Sequence, residues 1–254
     1  MSRIAGKQYF ADRTITEVTV PVEVEAIGEW AFASCPLLST IRIPAGCKVA
    51  DKAFAGSVAL GQIILYENSP LELVEGVSSR LLALSVLAWP RATAAAFEAA
   101  SSRGFWDWFD PKLSAYLKEA DDDGFSPFQA GGEEDYDEEI CAREEYVSLI
   151  RLQKAGMIFE RLLEKETRPS AALREECVSW LKQYNPQVPF ALMERAGERG
   201  LLYEELYFTS KLHLGCGIDT LLECAGRKVE LRARILREFE NCSFGDTFLD
   251  ALKL

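Results

Sequence analysis

The sequence predicts an α+β protein in two parts, a short N-terminal β-solenoid followed by an all-α array of helices. A β-rich motif recurs near the N-terminus every 22 to 23 residues. From about Ser78 the composition changes to Ala-, Leu-, Glu- and Arg-rich runs that favour helix. A chain of 254 residues, of which 48% are hydrophobic, can bury a large core without metals or disulfides. We therefore predict a solenoid over 1–77 and a helical array over 78–254.

Each predicted coil of the solenoid contains a strand and a turn. The strand at 15–21 recurs at 38–44, the turn at 26–32 recurs at 48–54, and a third strand lies at 60–65. Apolar and polar residues alternate in the strands, so one face points inward. A proline then ends the strand, because it cannot continue the hydrogen-bond ladder. A single coil cannot bury its own apolar face, so neighbouring coils must stack.

These residues resemble the BspA-like leucine-rich repeat over about residues 4–66. The similar motifs are Val-Thr-Val-Pro at 18–21, Ile-Gly-Glu-Trp-Ala-Phe at 27–32 and Cys-Pro-Leu-Leu at 35–38. The second coil departs from the pattern at Cys47, Ala50 and Ser57. The resemblance implies a leucine-rich-repeat solenoid, and members of the family include surface adhesins.

The outward side chains of the repeated strands are the first candidate partner-binding surface. Small polar side chains on a regular sheet are what a solenoid offers to a protein partner, and any solvated sheet presents the same side chains. The residues are Glu17, Thr19, Thr40, Arg42 and Gln62.

The two ends of the solenoid would expose apolar edges unless something covers them. We expect the helical part to cover one end. Phe10, which lies 22 residues before Phe32, and Ile4 are expected to close the other end. A second copy of the chain is the alternative, so a homo-oligomer through the solenoid ends is a further prediction.

Short helices with short links predict a helical repeat array. Residues 151–164 and 212–223 resemble the second half of an ankyrin repeat, although the T-P-L-H signature is absent. Gly156 is expected to separate a helix over 139–152 from one over 154–165, and Pro111 to begin a helix.

Acidic residues concentrate in one segment of the chain. The net charge is −12, and residues 119–139 contain ten acids without any Lys or Arg. We predict a solvated loop over about 119–138, and a docking element for a basic partner is the alternative. Its spacing begins like a calcium loop, but Ala130 stands where the bidentate Glu is required, so no cofactor is predicted. The candidate docking residues are Asp121, Asp122, Asp123, Glu133, Glu134 and Asp135.

His213 is the only histidine, which excludes acid–base schemes that need two. Cys216 follows three residues later and could share a helix face with it, so a cysteine-dependent enzyme is an alternative hypothesis. With Cys224 and Cys242 a zinc site could also be drawn. The competing interpretation is a histidine near a helix end beside buried structural thiols.

The densest aromatic patch lies at 105–109. Its spacing places Phe105, Trp108 and Phe109 on one helical face, which favours packing against neighbouring helices. The alternative is an exposed aromatic site for a partner, for which Trp106 is the candidate residue.

The sequence thus predicts a non-catalytic protein-interaction module or scaffold. The chain lacks the clustered basic residues that nucleic acid requires. Seven cysteines without a CxxC pair, no signal segment and no apolar run long enough for a bilayer predict a cytoplasmic protein without a membrane partner. A surface protein like the adhesins and the cysteine-dependent enzyme are the alternatives.

Overall fold

The computed structural model describes residues 2–125 and 136–251. Its contacts divide the chain into two compact units, each built from two segments. The predicted division at residue 77 concerns the kind of repeat rather than contacts, and it stays a prediction. The first unit comprises Met1–Glu119 and Gly156–Leu173, and the second comprises Ala120–Ala155 and Arg174–Leu254.

The strands of the described chain form two three-stranded parallel sheets in the first unit. Successive strands alternate between the sheets, so each of three coils contributes one strand to each sheet. One sheet contains β1 (Ser2–Ile4), β3 (Val24–Ile27) and β5 (Lys48–Val49). The other contains β2 (Glu17–Thr19), β4 (Thr40–Pro44) and β6 (Gln62–Tyr66).

The register of the second sheet confirms the repeat. Glu17 pairs with Thr40, and Thr40 pairs with Gln62. The alternate residues Ile41 and Ile63 are fully buried, as period-2 patterning requires. Removing these apolar side chains from water is the main stabilising contribution of the coils.

An aromatic ladder crosses the turns of the coils. Tyr9 stacks on Phe32 at 5.1 Å between ring centroids, and Phe32 stacks on Phe54 at 5.9 Å. The expectation that Phe10 fills the first position is wrong, because its side chain is 47% exposed. The turn of the first coil is offset by 23 residues, as the left-handed conformations of Lys7 and Trp30 show.

The helices follow the strands along the chain. In the first unit, α1 packs against β6 and α2 packs against β5. The helices of the described residues are α1 (Ser79–Ala88), α2 (Thr93–Ser101), α3 (Phe105–Lys118), α4 (Tyr136–Leu163), α5 (Ala171–Gln183), α6 (Gln187–Arg195), α7 (Glu198–Thr209), α8 (Ile218–Cys224) and α9 (Val229–Ala251).

Two predicted helix boundaries are wrong. Helix α4 runs unbroken through Gly156, because a glycine inside a helix costs only about 1 kcal/mol and this one is buried by packing. Helix α3 begins at Phe105 and contains Pro111, rather than beginning there. The helical character of this region is confirmed, whereas an ankyrin-like repeat within it is not.

Side-chain hydrogen bonds fix α2 to the third coil. The Asp51 carboxylate accepts from the amide of Ala94 in the first turn of α2 at 3.0 Å. At the other end of the helix, the Ser101 hydroxyl donates to the carbonyl of Ala45 at 2.6 Å. Both ends of α2 are therefore held by residues of the repeat.

Buried polar contacts order the second unit. The Tyr207 hydroxyl donates to the side-chain oxygen of Asn185, whose amide donates to the carbonyl of Leu212 at 2.8 Å. Tyr207 also packs against Phe190 of α6, with 5.4 Å between ring centroids. These contacts connect α6, α7 and the 3-10 turn Leu212–Gly215.

Candidate partner-binding surfaces

The outer face of the β2–β4–β6 sheet brings together all five sheet residues that the sequence proposed. Parallel pairing places them in two rows across the strands, and none of them is buried. Within the face, the Arg42 guanidinium lies 3.6 Å from the Glu17 carboxylate. We use the name outer face for Glu17, Thr19, Thr40, Arg42, Gln62 and Ile64.

Ile64 is the member of the outer face that sequence analysis missed. It pairs with Arg42, which in turn pairs with Thr19. The run Gln62–Tyr66 is apolar after its first residue, so alternation alone does not reveal which side chains point outward. The repeat offset from Arg42 is the signal that identifies it. The outer face therefore contains a half-buried aliphatic side chain beside a cation.

Hydrogen bonds inside the repeat explain why Ser57 can replace the expected cysteine. The Cys35 thiol donates to the carbonyl of Tyr9 at 3.0 Å. One coil later, the Ser57 hydroxyl donates to the carbonyl of Phe32 at 2.6 Å and accepts from the amide of Cys35 at 3.0 Å. Both residues perform the same task, which is to satisfy a buried carbonyl of the preceding coil.

Asp121 departs from the solvated loop that the sequence predicts. Its side chain is only 8% exposed, and its carboxylate bonds Arg151 Nε at 2.7 Å and Lys154 Nζ at 2.8 Å. The Tyr184 hydroxyl donates to the same carboxylate at 2.7 Å. Burial alone raises the pKa of Asp121, but these three hydrogen bonds outweigh it and hold the pKa below the ordinary value.

The neighbouring acidic residues also contact α4. Asp122 forms an ion pair with Arg143, and the Tyr146 hydroxyl donates to the carbonyl of Asp123 at 2.7 Å. The side chain of Asp123 remains exposed. The other three candidate docking residues, Glu133, Glu134 and Asp135, lie outside the described residues.

Trp106 lies in the packed part of the first unit. Phe105 and Phe109 beside it are fully buried, which confirms the packing interpretation of the aromatic patch. The Arg161 guanidinium lies 4.2 Å from the centre of the Trp106 ring and makes a two-point ion pair with Asp110, at 2.7 and 2.9 Å. Trp106 itself is half-buried, and its role in partner binding stays a prediction.

His213 and Cys216 do not share a helix face. His213 lies in the 3-10 turn, and Cys216 follows it in extended conformation. The imidazole is 2% exposed, and neither of its nitrogens has a hydrogen-bond partner in the described parts of the chain. Burial lowers the pKa of His213 and raises that of the Cys216 thiol, which opposes a reactive thiolate.

Two further searches cover the residues that the structure describes. No group of three or more His, Cys, Asp and Glu side chains is arranged to hold a metal ion there. No helix within the same ranges has the length and apolar character needed to cross a membrane.

Comparison with known proteins identifies the repeat. The family model for the BspA type leucine-rich repeat region (6 copies) matches residues 3–74. The match covers all six strands and ends before α1. The strand region is thus a leucine-rich repeat of this type. Searches of the curated proteins and of the solved structures returned no match for this chain.

Proposed function

We propose that this chain is a non-catalytic protein-interaction module that binds a protein partner on its outer face. The observation that carries the proposal is the in-register pairing of Glu17, Thr40 and Gln62 on three parallel strands whose alternate side chains form the core. A rigid sheet holds such side chains at fixed spacing, so little conformational entropy is lost when a partner binds.

The chemistry of the outer face suits a protein ligand. Its two rows contain hydroxyl, amide and charged groups together with Ile64, and such mixed surfaces form the polar rim and apolar centre of protein interfaces. The free thiol of Cys35, which donates a hydrogen bond inside the repeat, supports a reducing compartment such as the cytoplasm. A homo-oligomer through the solenoid ends stays a separate prediction.

The test compares two full-length variants with the same change in net charge. Arg42→Glu/Gln62→Glu alters the outer face, whereas Lys48→Glu/Ser102→Glu alters exposed positions elsewhere in the first unit. Each protein and the wild type are immobilised, and proteins captured from a lysate of the source cells are quantified by mass spectrometry. We expect a partner retained by the wild type and the control to be lost from the outer-face variant.

Circular dichroism and thermal unfolding verify that both variants are folded. A partner that binds all three proteins equally would place the binding surface elsewhere. A wild type that retains nothing above an unrelated immobilised protein would contradict the interaction module itself.

A further inference from the structure

The first coil has an open end, by which we mean residues 3–13 on the side away from the second coil. Strands β1 and β2 are each at the edge of their sheet, paired on one side only. The Tyr9 ring likewise stacks on Phe32 with one face and is half-buried. Beside it, Phe10 is 47% exposed. The open end therefore combines unpaired strand edges with partly exposed aromatic rings.

The backbone of this coil has a fixed hydrogen-bonding direction. Its amides point toward the second coil, where each finds a carbonyl. The three hydrogen bonds run from Lys7 to Glu29 at 3.1 Å, from Tyr9 to Ala31 at 2.9 Å and from Ala11 to Ala33 at 2.9 Å. The donors of the turn are therefore already used within the repeat.

The carbonyls of the same turn face the open end. Gly6, Gln8 and Phe10 stand one coil before the acceptors Glu29, Ala31 and Ala33, and their carbonyls accept no hydrogen bond from any described residue. The amide of Ala5, which could have offered a donor there, is instead satisfied by the Gln8 side chain at 2.9 Å. The open end is thus a row of hydrogen-bond acceptors.

The opposite end of the repeat shows what covers such a surface in this fold. Phe97 of α2 continues the aromatic ladder by stacking on Phe54 with 6.2 Å between ring centroids. The free amide of Lys52 donates to the carbonyl of Pro90 at 2.6 Å. An aromatic side chain and complementary backbone groups are therefore the chemistry that covers an end of this ladder.

Charge distinguishes the occupants that could supply this chemistry. Arg3, Lys7 and Arg13 are exposed around the open end. The Asp12 carboxylate between them is engaged by the amide of Thr14 at 2.7 Å. Two copies meeting at their open ends would bring carbonyls against carbonyls and cations against cations, which is unfavourable. A different protein with acidic residues satisfies both groups.

We propose that the open end binds an extended, acidic segment of a partner protein, which donates backbone amides to the Gly6, Gln8 and Phe10 carbonyls and stacks an aromatic side chain on Tyr9. This is strand addition to an unpaired edge, with specificity supplied by the ring and by Arg3 and Arg13. The proposal rests on the interaction function but uses a surface separate from the outer face.

The experiment selects ligands from a phage-displayed library of random linear peptides against the full-length protein. Arg3→Glu/Arg13→Glu serves as the counter-selection, and Lys48→Glu/Arg91→Glu is the control with the same change in charge at exposed positions. We expect the enriched peptides to contain an aromatic residue and acids. Loss of two exposed charge pairs should weaken binding of the synthetic peptide about tenfold in the variant and leave the control unchanged.

Two measurements test the geometry. Methylation of alternate backbone nitrogens in the selected peptide removes its donors, and we expect affinity to fall by at least about tenfold. Amide NMR shifts should change at residues 5–11. Equal binding to the charge variant, insensitivity to methylation or shifts confined to the outer face would overturn the proposal, and the last result would leave the interaction function standing. A dimer in sedimentation that Arg3→Glu/Arg13→Glu dissolves would assign the open end to a second copy and overturn it too.

Discussion

Asp121 shows at the scale of one residue how a carboxylate can order an acidic stretch. Its two oxygens are bonded by Arg151, Lys154 and Tyr184, and the Lys154 side chain is fully buried. Taking a lysine out of water is costly unless an opposite charge accompanies it. The charge of Asp121 is therefore required by the second unit, whereas the run of acids in the sequence suggests only solvation.

The first prediction is that Asp121→Asn lowers the free energy of unfolding by about 3 kcal/mol, because Lys154 then loses its buried counter-charge. Urea unfolding followed by circular dichroism measures the change. Asp123→Asn is the matched control, since that side chain is exposed, and it should be within about 0.5 kcal/mol of the wild type. A small effect of both substitutions would contradict the role of Asp121.

The second prediction concerns the pH dependence of that difference. The pKa of Asp121 lies below its ordinary value of 3.8 in the folded chain. Its contribution is therefore complete above about pH 5 and is lost as the pH falls through the folded pKa. The gap in unfolding free energy between wild type and Asp121→Asn should narrow below about pH 4. A gap that stays constant down to pH 3 would show that the charge does not contribute.

The third prediction uses the repeat to rescue a substitution. Ser57→Ala leaves the Phe32 carbonyl and the Cys35 amide without their partner in a buried site, which should cost about 2 kcal/mol. Ser57→Cys should cost less, since Cys35 makes the equivalent hydrogen bond one coil earlier. Equal losses in urea unfolding for the two variants would contradict the equivalence of these positions.

The fourth prediction addresses the thiols. Burial raises the pKa of Cys47 to about 11 and raises that of Cys216, so little thiolate forms at neutral pH. We expect both to react more slowly with iodoacetamide in the folded protein than in urea, as measured by mass spectrometry of peptides. Rapid modification of Cys216 in the folded protein would instead support the cysteine-dependent enzyme.

At the scale of elements, the repeat was predictable because it depends on local spacing. The offset between 38–44 and 15–21 predicts the pairing of β4 with β2, and the outer residues of both strands follow from alternation. The change from Phe10 to Tyr9 was not predictable in this way, since the first turn is one residue longer than the next. Which ring enters the ladder is decided by packing against Phe32.

The helix boundaries were less predictable for a related reason. Glycine and proline usually mark helix ends, but Gly156 and Pro111 lie inside α4 and α3. Tertiary packing outweighs the local preference at both positions. The ion cluster of Asp121 also depends on residues 30 to 63 positions away, which no local pattern reveals.

The fifth prediction belongs to the aromatic ladder. Phe97→Ala should lower the free energy of unfolding by about 3 to 4 kcal/mol, because Phe97 is buried and stacks on Phe54. Phe10→Ala is the control, since that ring is 47% exposed, and we expect a loss below about 1 kcal/mol. The reverse order of the two losses in urea unfolding would show that Phe10 and not Tyr9 occupies the ladder.

At the scale of the whole molecule, the net charge of −12 conceals opposite local features. Cations surround the open end, while the acids concentrate in one segment of the chain, part of which bonds to α4. Composition predicts the absence of a large basic surface but not the small one at Arg3, Lys7 and Arg13. A partner for the open end is therefore recognised locally and not through the charge of the whole protein.

The regular register of the coils also determines how a gene for such a chain can grow. Strand β4 pairs in the same way with β2 before it and with β6 after it. Tandem duplication of the DNA that encodes one coil would insert a unit whose hydrogen bonds match on both sides. Duplication of an odd fraction of a strand would exchange its inner and outer side chains. Replication slippage can thus enlarge the outer face in whole-coil steps, and natural variation in its length is expected to be quantised.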